Sequence, residues 1–357
     1  MKILHINAGL ESGGGLTHII SLLRGQNDAE LLTLAEGPVA AAAREAGIKV
    51  SVMQHQSRYS LSVLRDLRQF INQGQFDIVH THGPRANLFV NLIRRRIQAK
   101  WVITVHSDPK LDFMQGGIVG RIFTHLNIAS LKHAAQIDVV TKRFEQQLLT
   151  LGVKPQRMRV IYNGIDFHSE PMTPVAHDAF TLMIVARLHP VKDHKLLLNA
   201  FKAADIPAVL NIVGDGPEMD HIKQQIAALD LSDRVHLLGF KTQDEIRQLQ
   251  ATTDMTVLTS QSESFPLVLL ESADAGIPVL TTDVGDMQVM VPSTDYGFVI
   301  PVGDQHALVN ALQMAYKDYQ AGILPTMGAA FRAYASEHFS IKQLQTSVWA
   351  GYQQLLQ

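Results

Sequence analysis

The sequence contains no cysteine, so no disulfide framework holds it and a reducing, cytoplasmic compartment suits it. No apolar run approaches the roughly 18 residues that a membrane-spanning helix needs, which leaves a soluble or peripheral chain. Met1 to Leu10 is too short and too polar after Leu4 for a signal peptide and reads as a first strand. Aromatic residues make up only 6% of the chain, and no basic stripe is interleaved with them, so nucleic acid is not an expected partner. The glycines Gly13, Gly14 and Gly15 are followed by no P-loop lysine. His18 stands where a dinucleotide fingerprint needs its third glycine, which argues against a nicotinamide oxidoreductase. There is no short-period repeat and no low-complexity segment.

What is present fits two globular domains. The 357 residues are 46% apolar and 18% charged, too many for one ordinary core. The net charge of −2 conceals an asymmetry, because residues 1–165 carry +9 and residues 166–357 carry −11. An anionic membrane surface or an anionic acceptor is the expected partner of the basic half. Arg58, Arg65 and Arg68, on or just before an amphipathic helix over Leu61 to Gln73, and Arg94, Arg95 and Arg96, at the end of another, are its candidate contacts.

Short apolar strands alternate with helical patterns throughout, which predicts an α/β fold of two doubly wound, Rossmann-like domains facing across a cleft. The first domain spans 1–167, a proline-containing linker 168–178, the second domain 179–338, and residues 339–357 form a C-terminal helix able to pack back on the first domain.

Ser262 to Pro278, S-E-S-F-P-L-V-L-L-E-S-A-D-A-G-I-P, carries Glu263 and Glu271 eight positions apart. A helix start is expected at Ser264 to Pro266, capped by Ser264, which places Glu263 in a loop and Glu271 inside the helix. The strand Met255 to Thr259 leads into this loop. Ligands of open α/β sheets bind at such strand ends, and a helix N-terminus suits phosphate while carboxylates suit hydroxyls. Arg187 and Lys192 follow another strand in V-A-R-L-H-P-V-K-D, where two cations can clamp a diphosphate. V-G-D-G-P-E, from Val213, reads as a tight turn, and Asp304 as an N-cap.

Histidines His82 and His106 each end a strand and should open onto the cleft, His106 being the first choice for a polar role. His5 and His80 read as core or hydrogen-bonded residues. His80 and His82 share a strand face, but no third ligand stands at a recognisable spacing, so no metal site is expected.

Together with D-I-V-H-T-H-G, T-V-H-S, V-I-Y-N-G-I-D, R-V-H-L-L-G-F and P-V-G-D, in this order and spacing, these motifs resemble the retaining glycosyltransferases of family 4, with the GT-B fold. The resemblance implies a metal-independent transfer of a hexose from a nucleotide-diphosphate sugar, a uridine nucleotide by family frequency, to a glycan or lipid-linked hydroxyl. No cofactor is implied, and no Asp-x-Asp triplet occurs. It places Arg187 and Lys192 on the donor diphosphate with the backbone of Gly13, Gly14 and Gly15, Glu263 on the donor sugar and Glu271 on the ribose. Gly239 and Phe240 would line the base pocket, and Ser264, Phe265, Pro266 and Leu267 belong to the donor site. His82 and His106 would stand on the acceptor side. His189-Pro190, between Arg187 and Lys192, and Asp193, where the family often has glycine, depart from the pattern. The rival readings are a nucleotide-sugar 2-epimerase on the same fold, told apart by its products without acceptor, and a two-domain small-ligand binding protein, which would release no nucleoside diphosphate.

Overall fold

The computed structural model describes residues 1–11, 13–53, 62–110 and 117–357. Arg58 and Leu61, named above, lie outside them. The described residues form two compact units, one of Met1–Gly164 with Ile341–Gln357, the other of Ile165–Ser340.

The first unit is built on seven strands, β1 (Ile3–Asn7), β2 (Ala29–Thr33), β3 (Val50–Val52), β4 (Ile78–His82), β5 (Lys100–Val105), β6 (Gln136–Val139) and β7 (Met158–Val160). Their order in the sheet is β3-β2-β1-β4-β5-β6-β7, with every pairing parallel. Side chains alternate between faces along a strand, so each strand feeds two cores. Leu4, Ile6, Val79, Ile103 and Val139 pack with the helices Ser62–Gly74, Pro84–Ile93 and Lys142–Thr150. Ile3, Leu31, Ile78 and Val102 point the other way, to the helices Gly14–Leu23, Pro38–Glu45 and Ile341–Leu356. The last of these helices buries Leu344, Val348 and Tyr352, so the final residues of the sequence complete the core of the unit that the first residues begin. Parallel strands buried on both faces explain why the strands read as apolar runs instead of alternating ones.

The second unit has six parallel strands, β8 (Phe180–Val185), β9 (Ala208–Val213), β10 (Val235–Gly239), β11 (Met255–Leu258), β12 (Val279–Thr282) and β13 (Gly297–Ile300), in the order β10-β9-β8-β11-β12-β13. Asp304 caps the helix Gln305–Gln320, accepting from the Ala307 N–H at 2.9 Å. Two expectations need correction. The helix near Glu271 starts at Leu267, later than expected; Pro266 occupies the cap position in an extended conformation (φ −74°, ψ 111°), and no side chain caps the helix, so Ser264 is not its cap. The helix Leu324–His338 was not expected at all. Its Pro325 and Gly328 obscure the pattern, although proline in the first turn is compatible with a helix, and Gly328 lets the helix press on the Gly276 carbonyl, where a Cβ would sit 1.8 Å from the oxygen.

Candidate active site

The order of the second sheet reverses between β8 and β11, and Lys192 and Glu263 lie in the loops that follow these two strands. That reversal opens the crevice where ligands of open α/β sheets sit. The loop bearing Arg187 and Lys192 is held from both sides. On one side, V-G-D-G passes so close that a Cβ on Gly214 would lie 2.0 Å from the Ala186 carbonyl oxygen and one on Gly216 would lie 2.3 Å from that of Leu188. The Leu188 N–H donates to the Asp215 carbonyl at 2.9 Å. On the other side, Thr259 Oγ1 donates to the Lys192 carbonyl at 3.0 Å, and the Gln261 N–H to the Val191 carbonyl at 2.8 Å. The two glycines are therefore structural, as a tight turn requires.

Asp193 adopts the left-handed conformation (φ 51°, ψ 48°). Glycine reaches it freely, and aspartate is among the few other residues that tolerate it. Aspartate here thus holds a conformation open to glycine and adds a cap, because Asp193 Oδ1 accepts from the Leu196 N–H at 3.1 Å at the head of the helix His194–Ala204.

Lys192 Nζ donates to Glu263 Oε1, which also accepts from Ser260 Oγ at 2.6 Å. Lys192 and Glu263 keep only 21% and 12% of their side-chain exposure, so the pair interacts with little screening by water. Arg187 is exposed. Glu271 is half-buried, 3.3 Å from Gln243 Nε2, and burial pushes its carboxyl above the ordinary value. Phe265 is buried edge-on against Phe339, so its ring belongs to the core and only its backbone can serve a ligand. Ser264, Pro266 and Leu267 are half-buried at the start of the helix that carries Glu271. Gly239 ends β10, and the ring of Phe240 after it is 76% exposed.

In the first unit the strand order reverses between β1 and β4. The register pairs His5 with His80, and His82 with both Asn7 and Thr104, which puts these side chains on one face. His106, two residues beyond Thr104, continues it. His5 Nδ1 and His82 Nε2 are 2.9 Å apart, and His82 Nδ1 and His106 Nε2 3.3 Å. His18 joins from the helix Gly14–Leu23, its Nδ1 2.7 Å from Asn163 Oδ1. His82 is fully buried between His5 and His106, contrary to the expectation that it would open outward. His106 is half-buried and lines a cavity of about 280 Å³ with Glu11, Gly15, Gly83, Asn87 and Ser107. Gly13, at φ 70°, precedes the helix that Gly14 and Gly15 begin, and a Cβ on Gly13 or Gly14 would meet nothing within 4 Å. The loop thus leaves its backbone open to a ligand.

The missing third imidazole of the sequence reading is supplied by other elements. The ring nitrogens of His5, His80 and His82, and those of His18, His82 and His106, lie within 4.8 Å of one another. Mutual hydrogen bonds already engage most of these nitrogens, and neither group contains a carboxylate to offset a buried divalent charge. Desolvation keeps the rings neutral, pushing His5 down to about 3 and His18 to about 4, with His80, His82 and His106 well below the ordinary value.

The sequence model described as glycosyl transferases group 1 matches residues 170–335, and that of the glycosyl transferase 4-like domain matches residues 13–164. The chain belongs to the group 1 glycosyl transferases. It is a glycosyltransferase of GT-B fold. Among its relatives, the N-acetyl-alpha-D-glucosaminyl L-malate synthase of Bacillus anthracis is 28% identical over 334 residues, 86% of this chain and 82% of the relative. The UDP-Gal:alpha-D-GlcNAc-diphosphoundecaprenol alpha-1,3-galactosyltransferase of Escherichia coli is 25% identical over 290 residues, 74% of each chain. The solved structure of Anabaena Alr3699/HepE in complex with UDP shares the fold, with a TM-score of 0.85 at 21% identity, over 99% of this glycosyltransferase and 100% of that chain.

Sequence reasoning missed the contribution of His18, Asn163 and Tyr352 to the histidine face. The only signal was the number of histidines at odd or even spacing in neighbouring strands.

Proposed function

We propose that this glycosyltransferase moves a hexose from a uridine-diphosphate sugar to a hydroxyl of a glycan or lipid-linked acceptor, with retention at the anomeric carbon and without a metal. The observation that carries the reading is the Lys192–Glu263 pair at the reversal point of the second sheet, a cation for a diphosphate beside a carboxylate for sugar hydroxyls. A galactosyltransferase named for UDP-Gal among the relatives and the UDP-glucose complex of Anabaena Alr3699/HepE support a uridine donor.

The acceptor oxygen forms a bond to the anomeric carbon as the bond from that carbon to the departing phosphate oxygen breaks. The electron pair stays on the nucleoside diphosphate, where Lys192 and Arg187 offset the growing charge. The departing oxygen takes the acceptor proton on the same face. Glu271 holds the ribose, Gly239 and Phe240 flank the base, the N–H groups of Gly13, Gly14 and Gly15 assist the diphosphate, and His106 meets the sugar and acceptor. The galactosyltransferase among the relatives favours transfer over 2-epimerisation or simple ligand binding.

Screening a panel of nucleotide sugars for binding and slow hydrolysis tests this reading. Tight binding and nucleoside diphosphate release with uridine donors are expected. Release from none of them, or an epimerised sugar without acceptor, overturns it.

The acceptor reading includes docking to an anionic membrane surface. Among the described residues no helix is long and apolar enough to cross a membrane. Leu92 (57% exposed) and Ile122 (54%) lie on the packed helices Pro84–Ile93 and Gly117–Leu131, next in sequence to Arg94–Arg96 and Arg121. Apolar side chains flanked by arginines suit an anionic interface. Sedimentation with anionic vesicles should fall at least several-fold when Arg94, Arg95 and Arg96 become alanine, and unaltered binding removes this patch as the docking site.

A further inference from the structure

Six side chains of the first unit form a line of hydrogen bonds that the transfer chemistry above does not use. Thr104 Oγ1 lies 2.6 Å from His80 Nε2, and His80 Nδ1 lies 2.5 Å from the Tyr352 hydroxyl. That hydroxyl is 3.5 Å from His5 Nε2. His5 Nδ1 meets His82 Nε2, and His82 Nδ1 meets His106 Nε2. All members but His106 are buried. His106 reaches the cavity, and its Nδ1 is the one ring nitrogen not engaged in the line.

A neutral imidazole donates at one nitrogen and accepts at the other, so the proton position on one ring dictates that on the next. Burial holds all four rings neutral. Two arrangements then satisfy every bond. Either each ring carries its proton on Nε2, with Tyr352 donating to His80 and accepting from His5, or each carries it on Nδ1, with Tyr352 donating to His5 and accepting from His80. The distances choose between them. Hydroxyls donate at about 2.5–3.0 Å and ring N–H groups at about 2.7–3.2 Å. The short Thr104–His80 contact taken alone suits Thr104 as donor, but the long Tyr352–His5 separation lies further outside the hydroxyl range than outside the ring N–H range, so the first arrangement, with Tyr352 donating to His80 and His5 Nε2–H pointing to Tyr352, departs least from ordinary geometry.

We propose that Tyr352, through His5 and His82, fixes His106 as the Nε2–H tautomer, so that its Nδ1 faces the cavity as a bare acceptor for a ligand hydroxyl. Tyr352 is thus a positioning residue, the twelfth residue of the last helix, acting at a distance on the imidazole that lines the cavity. No net proton transport is required, because each ring keeps one proton and each hydroxyl keeps its own. The geometry also accounts for His18. Its Nδ1 faces Asn163 Oδ1 and so carries the proton, and its bare Nε2 has no hydrogen-bond partner, edge-on to His106 with ring centroids 4.6 Å apart. A bare imidazole nitrogen on the cavity wall favours a ligand that offers hydrogen-bond donors, such as a sugar with free hydroxyls. This inference rests on the placement of His106 on the acceptor side.

The test is nitrogen NMR of the full-length protein with ¹⁵N-labelled histidine, in which a bare ring nitrogen and an N–H resonate far apart. In the unsubstituted protein, His106, His82, His5 and His80 should all show protonated Nε2 and bare Nδ1. Tyr352→Phe removes the oxygen that selects between the arrangements, so the two His106 resonances should move towards each other as the tautomers mix. A His106 already protonated on Nδ1 in the unsubstituted protein overturns the inference even where the variant fails to fold. Unchanged His106 resonances in a folded Tyr352→Phe protein overturn it as well. The measurement needs no donor or acceptor, so a His106→Ala enzyme that still transfers sugar would remove the acceptor-side role of His106 and leave the tautomer result standing.

Discussion

Replacing Lys192 by alanine is expected to lower turnover of the nucleotide sugar by about 10²–10³-fold, the usual cost of losing one group that stabilises charge developing in a transition state. The same change should also destabilise the second unit. Glu263 would keep Ser260 Oγ but lose its only ion-pair partner among the described residues, at a carboxylate 12% exposed. A fully buried pair broken on one side costs roughly 3–5 kcal/mol, and the partial exposure here brings the expectation to about 2 kcal/mol. The two effects separate in the double variant Lys192→Ala with Glu263→Gln, which removes the orphaned charge. Thermal melts should recover most of the lost stability while turnover stays down. Near wild-type turnover in a folded Lys192→Ala enzyme would eliminate the diphosphate clamp.

The two carboxylates should fail differently. Glu271→Ala is expected to weaken binding of free uridine diphosphate by roughly 10–100-fold, the range for a hydrogen bond to a charged group, with a smaller change in the rate at saturation. Glu263→Ala should chiefly lower the transfer rate and blur sugar selection. It leaves the Lys192 ammonium without its present partner, so diphosphate affinity should hold or rise. Calorimetric titration of the nucleotide alone decides the matter, since equal losses in both variants contradict the division. Acidity gives a second handle. The Glu271 carboxyl is pushed up by burial, so it becomes neutral at a higher pH than an ordinary carboxylate. Affinity of the unsubstituted enzyme for nucleotide should therefore begin to fall on acidification before ordinary carboxylates titrate, and a Glu271→Gln enzyme should lack that component.

The places of the proposed donor residues in the fold were legible because their signals are local. Arg187, Lys192 and Glu263 lie in the loops that follow β8 and β11, Glu271 lies in the helix after the second of these loops, and strand ends are readable from apolar runs closed by turn residues. The tight turn at Gly214 and Gly216 and the Asp304 cap were readable for the same reason. Ser264 misled, because serine before Phe-Pro fits a cap, whereas Pro266 itself occupies the cap position and pushes the helix start to Leu267. The histidine face of the first unit was only half readable. Period-two alternation shows that His80 and His82 share a face, but which residue of β1 lies beside them is set by register, which depends on packing across both sheet faces. Tyr352 was further out of reach, since it comes to His80 from 272 positions away.

The return of Ile341–Gln357 to the first unit sets an order on synthesis. Strands β1 to β7 leave the ribosome with an open apolar trough beside Ile3, Ile19 and Val102, which Leu344, Val348 and Tyr352 fill only after the whole of Ile165–Ser340 has been made. The unit begun first is finished last. While that trough is open the nascent chain offers chaperones a surface that the mature enzyme hides, and the second unit, contiguous in sequence, can reach its fold first.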